Sequence, residues 1–268
     1  MLNKNLWILW FQGFESCPQI VKSCVKSWEN HNSGWKINLL DETNINKFLQ
    51  DEDMLEGVNL NVLSYAHRAD IIRLLLLKKY GGVWADATTY CTESLDQWLP
   101  KYAKSDFFAF SNPGPDRKIS NWFLYSEKEG GMINKLIDDV TNYWRNTQRN
   151  RFKFYTIETI INRRPSLWFS YLLSNILRKM PYFWFHYLFA ERLNKDNNFA
   201  QCWAKNIKFN ADFPHRAQFY GLAKPTSDIN SAIYIDKRRC PVYKLSWKMD
   251  TSDFDDKALW WFFVRGEV

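Results

Sequence analysis

The chain has 268 residues, of which 46% are hydrophobic and 18% aromatic. This excludes a disordered chain and demands a large core, in one large α/β domain or two small ones. The formal net charge of +7 is regional: nine Lys/Arg and two acids lie between Arg145 and Arg192, leaving 27 of the 36 basic residues against 27 of the 29 acids elsewhere. Such a local positive field points to a phosphate-bearing or acidic partner, or to an anionic membrane face.

Five cysteines (Cys17, Cys24, Cys91, Cys202, Cys240) are odd in number and contain no C-x-x-C pair. They read as free thiols in a reducing compartment rather than a disulfide framework. The first residues, MLNKNLWILWFQGF, carry a short apolar run interrupted by Gln12 and then Glu15, with no small-residue cleavage site, so a strand is expected there and no signal peptide. No stretch reaches the ~18 uninterrupted apolar residues of a spanning helix. The expected location is the cytoplasm, peripheral at most on the inner face of the membrane.

In chain order, Leu6 to Phe11 reads as a strand stopped at Gly13. Ser16-Cys17-Pro18-Gln19 then offers a capping box for a helix running to about Trp28. His31-Asn32-Ser33-Gly34 breaks that helix, Trp35 to Leu40 reads as a second strand, and another helix is expected to start near Asp41 to Thr43. Alternation of strand and helix at this spacing predicts a mostly parallel sheet flanked by helices, with ligands bound beyond the carboxyl ends of the strands.

From Tyr65 to Tyr80 the apolar residues follow a helical period, and Asp70 and Arg73 interrupt the apolar face three residues apart, one above the other. Gly81 ends the helix, Gly82 extends the turn, and Val83-Trp84-Ala85 is a short buried strand that delivers Asp86 at its end. Further on, Phe107 to Phe110 reads as a strand closed by the loop Asn112-Pro113-Gly114-Pro115, Asn121 to Tyr125 as another strand, and Gly131 to Trp144 as a helix. Ser166 to Lys179 reads as an amphipathic helix with Arg178-Lys179 at its end, followed by the aromatic run Tyr182 to Phe189. Asp196 to Tyr220 is mixed, and Val242 to Lys248 closes the chain's regular pattern. No repeat or low-complexity linker divides the chain, so the expectation is a single domain over 1–268 with a basic, aromatic helical insert at 145–192, which presents either a solvated surface or an acceptor or membrane contact.

The run AHRADIIRLLLLKKYGGVWADAT resembles the signature of capsular polysaccharide synthesis glycosyltransferases. More distantly it is similar to the wider group of retaining GT-A sugar transferases (glycosyltransferase family 32-like), in which an A-x-D-I-L-R helix precedes a GG-x-Y-x-D-x-D strand. Asp70, Arg73 and Asp86 match one for one, and LWFQG near the start and KLSWK near the end look like family landmarks. The resemblance is dense over 60 to 91 and thin over 145 to 240.

It implies a GT-A-like, Rossmann-like fold and a hexosyltransferase that moves a sugar, with retention, from a nucleotide-sugar donor, UDP-linked, to a saccharide or lipid-linked saccharide of a capsule or surface polymer. Asp70 and Arg73 would contact the nucleotide, and Asp86, the residue at the reaction centre, the ribose or a metal-bound diphosphate, as a donor-positioning group rather than a nucleophile. Trp10, beside Gln12-Gly13, would stack on the base, and Ser246-Trp247 would reach the diphosphate. A leaving diphosphate needs a metal ion or cationic side chains. The resemblance implies Mn²⁺ or Mg²⁺ on Asp86, but Thr88 stands where the wider pattern has its second acid, and a neutral hydroxyl is a weaker ligand. Lys244 or Lys248, flanking Ser246-Trp247, could then carry part of the leaving-group load.

Each feature has a plainer alternative. Asp70 and Arg73 could be a helix-surface ion pair worth roughly 0.2–0.5 kcal/mol, and Trp10 a core residue. His67, His186 and His215 sit in apolar or aromatic surroundings where histidine is commonly structural; His186 and His215 are also the candidates for the acceptor side. Cys91 reads as a small buried hydrophobe. Two non-enzymatic readings compete: a membrane-associated scaffold that has lost catalysis, motivated by Thr88, and a single-strand nucleic-acid binder using basic charge among aromatics. Nucleic acid is not the expected partner, because the charge is confined to one region and no nucleic-acid module motif occurs.

Overall fold

The computed structural model describes residues 2–50, 54–148, 182–227 and 240–268. A five-stranded sheet is ordered β2 (Lys36–Leu40), β1 (Asn5–Leu9), β3 (Gly82–Ala85), β6 (Arg117–Ser126), β5 (Phe107–Gly114). β1 pairs in parallel with β2 and β3, whereas β6 is antiparallel to both β3 and β5. Four of the five strands therefore run one way and β6 alone runs back, the mixed, mostly parallel α/β sheet that the strand–helix alternation predicts. A separate ribbon joins β4 (Thr89–Cys91) to β7 (Val242–Lys244) antiparallel, with Thr89 opposite Lys244.

Side-chain parity divides the core. Leu6, Ile8, Val83, Ala85, Phe108, Phe110 and Phe123 enter one hydrophobic cluster, while Trp7, Leu9, Trp84, Phe107, Ala109 and Leu124 enter the other. That is the period of two written across the sheet, so both faces are buried. The first face is covered by α1 (Gln19–His31), α3 (Leu95–Tyr102) and α8 (Leu259–Arg265); the second by α2 (Tyr65–Tyr80), α4 (Gly131–Gln148) and α5 (Trp184–Lys195). α6 (Asn197–Lys205) and α7 (Asp212–Tyr220) complete the described helices. No helix among the described residues is long and apolar enough to cross a membrane.

α2 has the expected bounds because both its ends are signalled: the Ser64 hydroxyl accepts from His67 N, and Gly81 takes φ +69° at the other end. Gly82, at φ +97°, begins β3 instead of prolonging the turn, and a Cβ there would lie 2.2 Å from Asn5 O. A side chain would force β1 and β3 apart, so glycine is needed at this point.

Several expectations are corrected. β1 ends at Leu9, so Trp10 lies just past the strand, its N–H donating to Leu40 O at 2.9 Å. No capping box forms at Ser16, because Pro18 is extended (ψ 145°) and itself precedes the first helical residue, with no side-chain cap. The helix expected from Asp41 is a single 3₁₀ turn, Ile45–Lys47: the Asp41 carboxylate accepts from Thr43 N, Thr43 Oγ1 and Asn44 N, closing an Asx turn that competes with a helix. Of the loop expected over Asn112-Pro113-Gly114-Pro115, Pro115 does lie in the turn before β6, but Asn112 to Gly114 form the end of β5, an edge strand whose register shifts twice past Ala109 and which tolerates proline for that reason. β6 extends well beyond 121–125, and 196–220 is mainly helical, holding α6 and α7. Of the basic insert, the helix expected over 166–179 lies outside the described residues. Its aromatic end does not: Trp184, Phe185, Leu188 and Phe189 of α5 are buried in the second core cluster.

Candidate active site

A cavity of about 630 Å³ opens where β1 and β3 end. Its wall comes from seven separated stretches: Trp10 and Gln12 after β1, Asp70 and Arg73 on α2, Asp86 and Thr88 after β3, Pro113 with Arg117 and Ser120 to Trp122 on β5 and β6, Tyr182, Phe183 and His186 at the start of α5, His215 on α7, and Lys244 to Lys248 at and beyond β7. Every site residue singled out in the sequence, including His215, lies in this wall.

At its floor, Asp70 and Arg73 are buried, with 6% and 4% of their surface exposed, which rules out the helix-surface ion pair. Arg73 Nη1 lies 3.2 Å from Asp70 Oδ1, and its Nη2 lies 3.4 Å from Asp86 Oδ1. The same guanidinium donates to the Ala69 and Asn121 carbonyls and packs 5.0 Å from the Trp84 ring. One fork thus joins α2, β3 and β6, a use of several fixed donors that lysine cannot copy. Asp70 also accepts from Asn121 Nδ2 at 2.8 Å and from Trp184 Nε1 at 3.1 Å.

Asp86 receives Trp84 Nε1 at 3.0 Å and faces Lys244 Nζ at 3.7 Å. Trp84 and Asp86 are two apart along the strand direction and so face the same way. Lys244 Nζ donates to Thr88 Oγ1. Burial pushes the Lys244 ammonium below its usual range, opposed first by Asp86. Above this polar floor Trp10 meets Trp247 edge-on, with centroids 5.4 Å apart, and Lys248 Nζ lies 5.4 Å from the Trp247 ring. Ser246 Oγ accepts from Lys248 N at 3.2 Å, and Gln12 is exposed at the rim.

The histidines differ. His67 is buried against Trp144, outside the cavity, as a core residue. The His186 ring lies edge-on to Phe183, and burial, followed by the Arg117 and Arg73 cations, pushes its imidazole down to about 3, so it is neutral near pH 7. His215 is held through Nδ1 by Ala211 O at 2.8 Å and sits between Trp122 and Phe219. Cys91 is a buried thiol whose Sγ receives Asn32 Nδ2, and all five cysteines are free.

Burial pushes the Asp70 carboxyl up to about 6; Arg73 opposes the rise and Asp86 adds to it. An unfolded aspartate titrates near ~3.9, so between those values the folded chain holds a proton that the unfolded chain has lost. Stability from this group is therefore present below about pH 4 and is lost as pH rises towards 6. Relative to the non-titrating Asp70→Asn variant, wild-type stability is expected to fall over this window by on the order of 2–3 kcal/mol. Urea unfolding of both proteins at pH 4, 5, 6 and 7 measures it. A rise would mean that the attraction of Arg73 outweighs desolvation.

The donor set does not fit a resident divalent cation. Among the described residues no cluster of three or more His, Cys, Asp or Glu could hold a metal ion. Asp86 is the single carboxylate at the end of the strand; Arg73 and Lys244 face it, and the Thr88 hydroxyl accepts from the Lys244 ammonium. A dication there would sit against two cations with one carboxylate to hold it, whereas such ions favour several oxygen ligands.

Sequence reasoning missed Asn121, Trp184 and Arg117. Arg117 lines the cavity, stacks 4.1 Å from the Phe183 ring and donates to Pro113 O. The Trp84–Asp86 bond had a signal in the two-residue spacing; Trp184 and Asn121 had none, since they come from 114 and 51 residues away from Asp70.

Residues 1–166 match the family described as capsular polysaccharide synthesis protein. The chain is 24% identical over 160 residues to the O-glycosyltransferase braB of Annulohypoxylon truncatum, covering 53% of this chain and 38% of that protein. It is 30% identical over 165 residues to the uncharacterized glycosyltransferase L373 of Acanthamoeba polyphaga mimivirus, covering 53% and 66%. It thus spans about two fifths of the first relative's length and just under two thirds of the second's. Among solved structures, the PaToxG glycosyltransferase is 14% identical, covering 99% of this chain and 87% of that one at a TM-score of 0.47. With the match running through the helix of Asp70 and Arg73 and the strand that ends at Asp86, the chain belongs to the capsular polysaccharide synthesis protein family.

Proposed function

We propose that the protein is a glycosyltransferase that moves a hexosyl group from a nucleoside diphosphate sugar, UDP-linked, to a saccharide or lipid-linked saccharide acceptor of a capsule or related surface polymer. The observation that carries this reading is the convergence of Trp10, Asp70, Arg73, Asp86, Lys244 and Trp247 on one cavity at the ends of parallel strands. Aromatic rings at the rim suit a base and a sugar face, and cations below them suit a diphosphate.

In this reading Trp10 and Trp247 hold the base end of the donor, Asp86 positions its ribose and sugar, and Lys244 and Lys248 meet the diphosphate. Arg73 and Asp70 act one step back, fixing Asp86 and the end of β6. His186 and His215, which line the same cavity, face the acceptor, and Arg117 joins them. No side chain is assigned as a nucleophile. Retention of anomeric configuration and GT-A-type chemistry come from the family resemblance. The finding that relatives are glycosyltransferases supports an enzyme over the scaffold and nucleic-acid readings.

A thermal-shift screen of nucleotide sugars against the full chain tests the proposal, because a ligand that binds only the folded state raises its stability by mass action. At ~100 times its dissociation constant a bound ligand adds about 2.7 kcal/mol, enough to raise the midpoint by several degrees. The expected hits are UDP-sugars, and hydrolysis of a hit by the purified protein should follow. No shift with UDP-, GDP- or CMP-sugars sinks the reading.

A further inference from the structure

Thr88 and Lys244 come from places 156 residues apart and meet at the point where the wider family pattern has a second acid. Their meeting is built into the backbone. β4 and β7 pair with Thr89 opposite Lys244, and Leu245 N then donates to Thr88 O at 2.8 Å, extending the ladder one step towards the cavity. The next residues, Ser246, Trp247 and Lys248, line the cavity itself.

The Lys244 side chain is largely buried at 17% exposure, and among the described residues its ammonium meets the Thr88 hydroxyl, the Leu245 carbonyl at 3.4 Å and, at 3.7 Å, Asp86 Oδ2. The last is too long for a hydrogen bond and acts as charge alone. Thr88 Oγ1 is thus an acceptor already in use by an ammonium. Magnesium needs oxygen ligands at about 2.0–2.1 Å, so an ion held jointly by Thr88 and Asp86 would compete for the space the ammonium fills.

Charge gives the same answer. Two carboxylates with one divalent cation sum to zero, and so do Asp86 with Lys244. Exchanging an acid for Thr88 and adding Lys244 leaves the field seen by an incoming diphosphate close to that of a metal site, without the metal. Building on the transferase reading above, we propose that the Lys244 ammonium, oriented by the Thr88 hydroxyl, is the resident cation of the donor subsite. It binds the diphosphate in place of a divalent ion. In the transfer step the bond from the sugar's anomeric carbon to the diphosphate oxygen breaks, the pair of electrons leaves with that oxygen, and Lys244 meets the charge that develops. The acceptor oxygen forms the new bond and gives up its proton to solvent.

Calorimetric titration of the full chain with UDP and with uridine, in EDTA and in Mn²⁺, tests this. For the wild type, UDP affinity is expected to agree within twofold between the two conditions. Lys244→Met, which keeps the length of the stem, should weaken UDP at least tenfold and leave uridine unchanged. A lysine that only clamps β7 to β4 would alter the melting temperature without that selectivity for the diphosphate. Thr88→Val should weaken UDP in the same sense by a smaller factor and so supports the assignment even if Lys244→Met does not fold. A tenfold or greater loss of wild-type UDP affinity in EDTA overturns the assignment and leaves the transferase reading standing. UDP binding that resists EDTA and needs Lys244, but without hydrolysis of any nucleotide sugar, sinks the transferase reading and keeps the diphosphate site. Absence of binding by both UDP and GDP removes both.

Discussion

Arg73→Met is expected to destabilise the protein by roughly 3–5 kcal/mol, the usual cost of removing one partner from a buried ion pair. The size follows from what remains. Asp70 is left buried without its counter-ion, beside Asp86, and the Asn121 carbonyl loses a donor. Methionine replaces the aliphatic stem but supplies none of the five N–H groups of the guanidinium. Asp70 then protonates to escape its desolvation, so the loss should be smaller at pH 5 than at pH 7. Adding Asp70→Asn should recover part of the loss, because the two residues touch and their effects do not add. Urea unfolding of wild type, both single variants and the double variant measures this. A loss below about 1 kcal/mol for Arg73→Met would make the pair equivalent to an ordinary surface one.

Asp86→Asn is expected to lower nucleotide-sugar hydrolysis by about 10²–10³-fold, the range seen when one preorganised electrostatic group is removed from a reaction centre. Its effect on stability should be small. The carboxylate is 29% exposed, and asparagine can still accept from Trp84 through its carbonyl oxygen. What changes is the balance of charge: Arg73 and Lys244 lose the anion between them and are free to draw the diphosphate into a geometry that does not react. Activity should therefore fall much more than UDP affinity. Parallel calorimetry and hydrolysis measurements separate the two, and a variant retaining more than a tenth of wild-type hydrolysis would remove Asp86 from the centre.

Much of the site was readable in one stretch. Ser64, Gly81 and the apolar period between them bound α2, and spacing puts Asp70 and Arg73 on the same side of it. β3 then carries Asp86 to a strand end in only four residues. These are local facts, decided by caps, periods of 3.6 and 2.0, and glycine conformation. The loop read at Asn112-Pro113-Gly114 fails for the complementary reason: its turn residues are locally correct, but pairing with Ile119 and Arg117 of β6 holds them in an edge strand. The helix read at Asp41 fails because an Asx turn satisfies the same backbone groups at shorter range.

By itself, then, the sequence determined the α/β alternation, the helix and strand that carry Asp70, Arg73 and Asp86, and the family to which those residues belong. Only the tertiary structure decided that the ion pair is buried, that Trp184 and Asn121 complete it, that β6 reverses direction, and that Lys244 meets the Thr88 hydroxyl. The reason is distance along the chain. Burial and charge balance are properties of groups brought together across 51 to 156 residues, and nothing in the spacing of either partner announces the other.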